Sequence, residues 1–146
     1  MPDSMGVTDV VERYLAAAQA VDIDALLDTL APEPELVSPL SGRMVFRGTD
    51  DLRVLLAAVY GSLTGLRWHE RIVDGDRVVV TGEARIGPVT RSDVTVFEIS
   101  DGRIARIRPY VRPWFALTVD AVVVGSRMLR HPGVILRALR GPDSAR

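Results

Sequence analysis

The stretch RVVVTGEARIGPVTRSDVTVFEISDGRIARIRPY, residues 77–110, decides the fold because apolar and polar side chains alternate along most of it. Alternation with a period of two is typical of a strand that buries one face. The segments IGPV and SDG supply turn residues, so the stretch predicts three long antiparallel strands in a meander. Small or apolar side chains share one face of the first strand: Val78, Val80, Gly82, Ala84 and Ile86.

The second of these strands, VTRSDVTVFEI (89–99), carries a carboxylate on the face that turns apolar at its end. By parity, Asp93 shares that face with Arg91, Thr95 and Phe97. Asp93 is therefore either a solvated charge on a strand or an acid inside a pocket. We expect the pocket, because Val94 on the opposite face suits a protein contact, and because Arg91 can partly compensate for a desolvated carboxylate.

The segment before residue 77 predicts three helices and three shorter strands. A helix capped by Thr8 runs to about Gln19, and a second one begins after Asp22 and ends before the prolines of APEP. ELVSP and MVFRG are predicted strands, a third helix covers about residues 50–63, and LRWHERIV is a strand that ends in the hairpin turn DGD. Helices first and antiparallel strands afterwards indicate an α+β fold.

Residues 116–140 predict a helical extension that is broken at His131-Pro132-Gly133. We expect it to pack as a lid or as a swapped element, because its many apolar side chains would be unfavourable in water. Its arginines would form the solvent-facing side. The alternative is a helix on a membrane surface, since basic amphipathic helices bind anionic lipid. The predicted division is a main domain over residues 1–115 and an extension with a tail over residues 116–146.

The composition restricts the chemistry. The chain has 146 residues, no Cys and two His, so disulfides and thiolate chemistry are excluded and neither a metal nor another cofactor is expected. Residues 1–102 hold nine Arg and seventeen acids, a charge of −8, and residues 103–146 hold nine Arg and two acids, a charge of +7. The two ends either neutralise each other or the basic end binds an anionic partner.

The same features bear on partners and location. Outside the basic tail there is no pattern of basic and aromatic residues, so nucleic-acid binding is not expected. The acidic N-terminus has no apolar signal core, and no apolar run approaches the ~20 residues that span a bilayer. We therefore expect a cytoplasmic protein.

Three segments of the sequence resemble those of a known family. The stretches VVERYLAAAQAVDIDALLDTLAPEPELVSP, FRGT and VFEISDGRIARIRPY resemble the nuclear transport factor two-like superfamily over about residues 7–115. That group contains SnoaL-like polyketide cyclases, steroid delta-isomerases and limonene-epoxide hydrolases. The resemblance implies a curved antiparallel sheet that wraps against helices into a cone with an apolar interior pocket. It also implies a homodimer that forms through the outer face of the sheet.

The resemblance also implies roles for several residues. Tyr14 resembles the phenol with which steroid isomerases donate to a developing enolate, although a tyrosine there also suits core packing. Ser38 stands where those enzymes place a carboxylate base, and a serine hydroxyl cannot replace it unassisted. Their second acid aligns with Thr95, and Asp93 on the same face could replace it.

Epoxide hydrolases of this fold use an Arg-x-Asp on one strand and a further Asp in the last strand. Arg91-Ser92-Asp93 has that spacing but falls on the following strand, and Pro109 occupies the position of the last aspartate. The hydrolase constellation is therefore incomplete in the sequence. His69 lies in a strand in which either face could point inward.

We therefore expect a protein that binds a hydrophobic small molecule such as a polyketide, steroid or terpenoid. Asp93 and Tyr14 are the expected catalytic residues of an acid–base isomerase, cyclase or hydratase. The expected ligand contacts are Leu30, Ser38, Phe46, Val80, Gly82, Thr95, Phe97, Pro109 and Trp114. The alternative is a non-enzymatic dimeric binding or scaffold module. A deep cavity with both catalytic candidates favours chemistry, and one filled by Leu30, Phe46 and Phe97 favours the scaffold.

Overall fold

The computed structural model describes residues 4–140, without the side chains of residues 4, 5, 114 and 115. Within this range the helices are α1 (Ser4–Ala20), α2 (Ile23–Asp28), α3 (Thr49–Ser62), α4 (Trp114–Met128) and α5 (Pro132–Leu139). The strands are β1 (Leu30–Val37), β2 (Val45–Arg47), β3 (Leu63–Asp74), β4 (Arg77–Ile86), β5 (Val89–Ser100) and β6 (Arg103–Arg112). The predicted α+β fold is confirmed.

The six strands form one curved open sheet in the order β2-β1-β6-β5-β4-β3. The meander β3 to β6 is antiparallel, as the alternation predicts. β1, however, runs parallel to β6. The antiparallel sheet that the family resemblance implies therefore has one parallel pairing, because a short strand that follows a helix can pair in either direction and only the path of the chain decides.

Two boundaries differ from those predicted. α1 begins at Ser4 rather than after Thr8. β1 begins at Leu30 and includes both prolines of APEP, where the prediction began the strand at Glu35. Its register against β6 shifts between Leu30 and Glu35, so the prolines lie where the pairing is irregular and the missing N–H donors matter least. The Asp22 cap is confirmed, since its carboxylate accepts from Ala25 N at 3.2 Å.

The core lies between the inner face of the sheet and helices α1 to α3. Val11, Tyr14 and Leu15 of α1 meet Phe97 of β5 and Leu56 of α3 within one buried cluster. Tyr14 and Phe97 pack edge to face, with ring centroids 5.1 Å apart. The apolar stripe of α1 thus fixes how this helix lies on the sheet.

The C-terminal helices close the open side of this arrangement. α4 packs on α3 and on strands β4 to β6, and α5 packs on β2. The apolar residues of the segment divide between two surroundings, because Met128, Val134 and Ala138 are buried while Val122, Leu129, Leu136 and Leu139 are exposed. No helix within residues 4–140 is long and apolar enough to cross a membrane.

Candidate active site

A cavity of about 220 Å³ lies between the inner face of the sheet and helices α1, α3 and α4. Most of its lining is aliphatic or aromatic. The charged side chains of the lining are Arg91 and Asp93, side by side on β5, and Asp120 of α4. Pockets for drug-sized ligands occupy roughly 300–1,000 Å³, so this cavity suits a smaller, largely apolar molecule.

Arg91 lies between the two carboxyl groups and binds both. Its Nε donates to Asp120 Oδ2 at 3.0 Å, and its Nη1 donates to Asp93 Oδ2 at 3.3 Å. All three side chains are nearly inaccessible, at 6% exposed for Arg91, 7% for Asp93 and 13% for Asp120. The Oδ1 atoms of Asp93 and Asp120 are buried and accept no hydrogen bond from any described residue. Each carboxyl group thus has one oxygen that no described residue hydrogen-bonds.

Burial raises the pKa of both carboxyl groups above the usual range of an aspartic acid. For Asp93 the neighbouring Arg91 opposes the rise, and the charge of Asp120 adds to it. For Asp120 burial raises the pKa and Arg91 lowers it. With both acids ionised the cluster would carry −1, and protonation of one carboxyl makes it neutral. A buried site favours the neutral state, so the pair tends to retain one proton.

Gly82 provides the space for this arrangement. It lies between Trp68 of β3 and Asp93 of β5 in the sheet register. A Cβ on Gly82 would stand 2.8 Å from Trp68 Cε3 and 3.0 Å from Asp93 Oδ1. The missing side chain therefore lets the indole and the carboxyl group lie against the strand. The Trp68 ring is fixed by its Nε1, which donates to Leu15 O at 3.2 Å.

Two phenols share the cavity with these acids. The hydroxyl groups of Tyr14 and Tyr60 are 2.8 Å apart. Burial raises the pKa of both phenols well above 10, and the charge of Asp93 acts in the same direction. Both hydroxyls therefore stay protonated at neutral pH. Since one of them donates to the other, the pair has one hydroxyl proton left for a ligand.

The structure brings several of the predicted site residues together. Asp93 and Tyr14 line the cavity, along with Ser38, Phe46, Thr95 and Pro109. Ser38 has a structural partner as well, since its Oγ accepts from Leu40 N at 3.1 Å and supports the turn after β1. The parity argument for Asp93 is thus confirmed in its placement.

Other predicted contacts do not reach the cavity. Leu30, Val80 and Phe97 are buried in the core, and Gly82 acts through the space that it leaves. Val80 and Phe97 lie on the inner face of the sheet, as parity predicts. They lie further from the cavity than Asp93, in the part of the sheet that α1 covers, so they contact the core instead of the cavity. The side chain of Trp114 lies outside the described residues. His69 points to the outer face, where its Nε2 is 3.4 Å from Glu83 Oε1.

Sequence reasoning missed two residues of the site, Asp120 and Tyr60. Each had a signal. Asp120 is the single acid within the apolar run FALTVDAVVVG, and an acid on a helix that buries an apolar face indicates a partner inside the fold, because acids are almost never buried unpaired. Tyr60 follows Leu52 and Leu56 at intervals of four, which places it on the buried stripe of α3. Among residues 4–140, no three His, Asp or Glu side chains are grouped as metal ligands would be.

Comparison with known proteins agrees with this architecture. An uncharacterised protein with a cystatin-like fold from Silicibacter pomeroyi superposes with a TM-score of 0.80 at 14% identity, over 90% of this chain and 93% of that one. A steroid delta-isomerase from Pseudomonas aeruginosa gives 0.79 at 21% identity, over 88% and 95%. A proposed polyketide cyclase from Sinorhizobium meliloti gives 0.61 at 28% identity, over 73% and 98%.

Similarities at these identities establish the fold, and the sequence comparison establishes the family. The search among curated proteins finds no match. The sequence model of the SnoaL-like domain matches residues 11–107, which is most of the chain from α1 to β6. This match confirms the resemblance that the N-terminal helices and the end of β5 predict. The chain therefore belongs to the SnoaL-like domain family.

Proposed function

We propose that the protein is an acid–base enzyme that adds water to a small apolar substrate with a reactive ring oxygen, such as an epoxide. One observation carries the proposal. Two buried carboxyl groups share the guanidinium of Arg91, and each keeps one oxygen without a hydrogen bond. A site of this kind can hold one acid and one base at the same time.

The surroundings of the two carboxyl groups differ, and the difference suggests their roles. Asp93 is the more buried and has the longer hydrogen bond to Arg91. Asp120 has the shorter hydrogen bond to the guanidinium. The proton therefore belongs on Asp93, which serves as the general acid, while the ionised Asp120 serves as the general base.

In this reaction Asp120 takes a proton from a water molecule as the water oxygen attacks a ring carbon. The carbon–oxygen bond of the ring breaks, and Asp93 gives its proton to the departing oxygen. The product is a diol that contains the atoms of substrate and water, and transfer of one proton from Asp120 to Asp93 restores the enzyme. The aspartate that the hydrolase pattern lacks at Pro109 is here replaced from α4 by Asp120.

A second reaction is favoured by the phenol pair. The free hydroxyl proton of Tyr14 or Tyr60 could bind the oxygen of an enolate while a carboxylate moves a proton along the carbon skeleton. The fold shared with a steroid delta-isomerase is consistent with such an isomerisation. The carboxylate would be Asp93 or Asp120, since Ser38 cannot act as the base.

The test is a panel of small apolar epoxides and β,γ-unsaturated ketones, assayed in water labelled with oxygen-18. Hydration incorporates one labelled water into a diol, whereas isomerisation of the ketone adds no water and only moves its double bond. We expect Asp120→Asn to lower the rate by about 10²-fold or more, as is usual for loss of a general base. Asp28→Asn is the matched control, because Asp28 is exposed on α2.

The outcomes separate the candidate functions. Hydration that is retained in Asp120→Asn would contradict the assigned base. Isomerisation that depends on Tyr14 or Tyr60 would replace the hydration proposal with the second reaction. Saturable binding of panel compounds with no turnover by the wild-type protein would favour the non-enzymatic binding module.

We further propose that two copies associate through the outer face of the sheet. Val94 is 40% exposed, and beside it Tyr110 of β6 is 56% exposed. Ile72 of β3 extends this apolar surface next to Val79. Contiguous exposed apolar surface of this kind often marks a protein interface. Light scattering should give the mass of a dimer, and Val94→Arg should give a monomer; a wild-type monomer at all concentrations would contradict the proposal.

A further inference from the structure

A second concave surface lies outside the cavity, between α3 and the end of α4. It encloses about 620 Å³ of open space. We call it the basic groove, and define it by its lining residues Arg53, Val54, Ala57, Ala58, Ser126, Arg127, Arg130 and His131. Three of the eight are arginines, one is a histidine, and none is an acid.

Most of this positive charge is not neutralised by the chain. Arg53 Nη1 donates to Asp24 Oδ1 at 2.7 Å, which uses one of its five donors. Arg127 and Arg130 form no ion pair with any described residue. The groove thus concentrates unpaired guanidinium groups on one surface of a chain whose formal net charge is only −1.

The backbone leaves room for these side chains and for a ligand. Arg127 Nη1 lies 3.1 Å from the position that a Cβ would take on Gly61, so it extends over the last turn of α3. The side of α3 that faces the groove carries Arg53 and, beside it, the apolar Val54, Ala57 and Ala58. Small side chains there leave an apolar floor beneath the guanidinium groups.

We infer that the basic groove binds a phosphorylated small molecule, namely a phosphate or diphosphate ester with a short apolar part. Guanidinium groups match the oxygens of phosphate with paired N–H donors, and several of them are needed to balance its double charge. The apolar floor suits the carbon part of the ester. The start of α5 at Pro132, directly after His131, adds the positive end of a helix dipole at the same edge.

The cavity and the basic groove would select different molecules. The cavity holds two carboxyl groups against one guanidinium, so it disfavours anions. The groove is lined by three arginines and no acid, so it favours anions. The groove is therefore a separate binding site, and its test does not depend on the reaction proposed for the cavity.

The test is isothermal titration calorimetry with pyrophosphate and with octyl phosphate at low ionic strength. We expect saturable binding of one equivalent, and at least a tenfold weaker affinity in the double variant Arg127→Gln/Arg130→Gln. The matched control is Arg85→Gln/Arg103→Gln, which removes the same charge from exposed arginines on the sheet. This control should bind as the wild type does, and thermal melting of both variants verifies that they fold.

Three results would overturn the inference. The first is no saturable binding of either phosphate compound. The second is an equal loss of affinity in both double variants, because the anion would then respond to net charge alone. The third is binding only to vesicles that contain phosphatidylglycerol, with the same dependence on Arg127 and Arg130. In that case a lipid headgroup, and not a soluble ester, would be the source of the phosphate.

Discussion

Arg91 and Arg137 each bind aspartate, but the guanidinium of Arg91 is buried and that of Arg137 is exposed. Arg137 donates two short hydrogen bonds of 2.7 and 2.9 Å to Asp51, and the side chain of Arg137 is 58% exposed. Arg91 makes longer bonds of 3.0 and 3.3 Å to two different carboxyl groups and is 6% exposed. Arg137 has the shorter hydrogen bonds but contributes less to stability, because water screens its exposed guanidinium. Water cannot reach the buried Arg91 to solvate the charges if the pair is broken. Burial of the guanidinium, and not the length of its hydrogen bonds, therefore decides which arginine contributes more to the stability of the fold.

The replacement Arg91→Met should have the largest effect. It leaves two carboxyl groups buried without a cation, and removal of one partner of a buried ion pair costs about 3–5 kcal/mol in the free energy of unfolding. Denaturant unfolding at pH 8 measures this loss.

The pH dependence of the stability of Arg91→Met tests whether Arg91 stabilises the fold through its charge. Without the guanidinium, the pKa of Asp93 and that of Asp120 should rise further. Both groups would then bind protons more readily folded than unfolded, so the variant should regain stability as the pH falls from 8 to 5. An equal loss at both pH values would indicate that packing, and not charge, is what Arg91 supplies.

Gly82→Ala tests the space on which the same cluster depends. A methyl group would stand 2.8 Å from Trp68 Cε3 and 3.0 Å from Asp93 Oδ1, so both side chains must move. We expect the free energy of unfolding to fall by about 1–3 kcal/mol, which is typical of overpacking, and the tryptophan fluorescence to shift. Gly125→Ala in α4 is the control, because nothing lies within 4 Å of its added Cβ. It should stabilise the helix by about 0.5–1 kcal/mol.

Asp93→Asn separates the shape of the buried acid from its charge. At pH 5 or below, where Asp93 binds a proton most readily, the change should alter stability by about 1 kcal/mol or less. Since burial raises the pKa of Asp93, the wild type loses stability as the pH rises from the usual value for aspartic acid through the raised one. The asparagine does not titrate, so the free energy of unfolding of the variant should rise relative to that of the wild type as the pH rises to 8. Parallel stability profiles would show that Asp93 titrates as it does in water.

Arg137→Gln should have the smallest effect, despite the short bonds to Asp51. The guanidinium of Arg137 is exposed, so water screens the pair, and Gln keeps N–H donors for the less exposed Asp51; the melting temperature should therefore fall by less than about 2 °C. Arg140→Gln, which removes a nearby exposed charge, is the control for net charge. A loss as large as that of Arg91→Met would contradict the idea that exposure of the guanidinium decides how much each ion pair stabilises the fold.

The sequence by itself determined the regular parts of the molecule. The alternation in residues 77–110 predicts β4, β5 and β6, and the parity of β5 puts Asp93 on the inner face with Arg91. The cap at Asp22 and the break at His131 are also local signals. Such features depend on residues within a few positions of one another, so the sequence contains the whole interaction.

Only the tertiary structure decided which distant side chains meet. Asp120 binds Arg91 across 29 positions, and Tyr14 meets Tyr60 across 46. Both contacts depend on how α3 and α4 lie on the sheet, as does the parallel pairing of β1 with β6. The packing of apolar surfaces fixes those positions, and that packing depends on the whole chain, because hydrophobic burial has no preferred direction in the local sequence. The sequence therefore contained both acids of the candidate site, but only the fold brought them to one guanidinium.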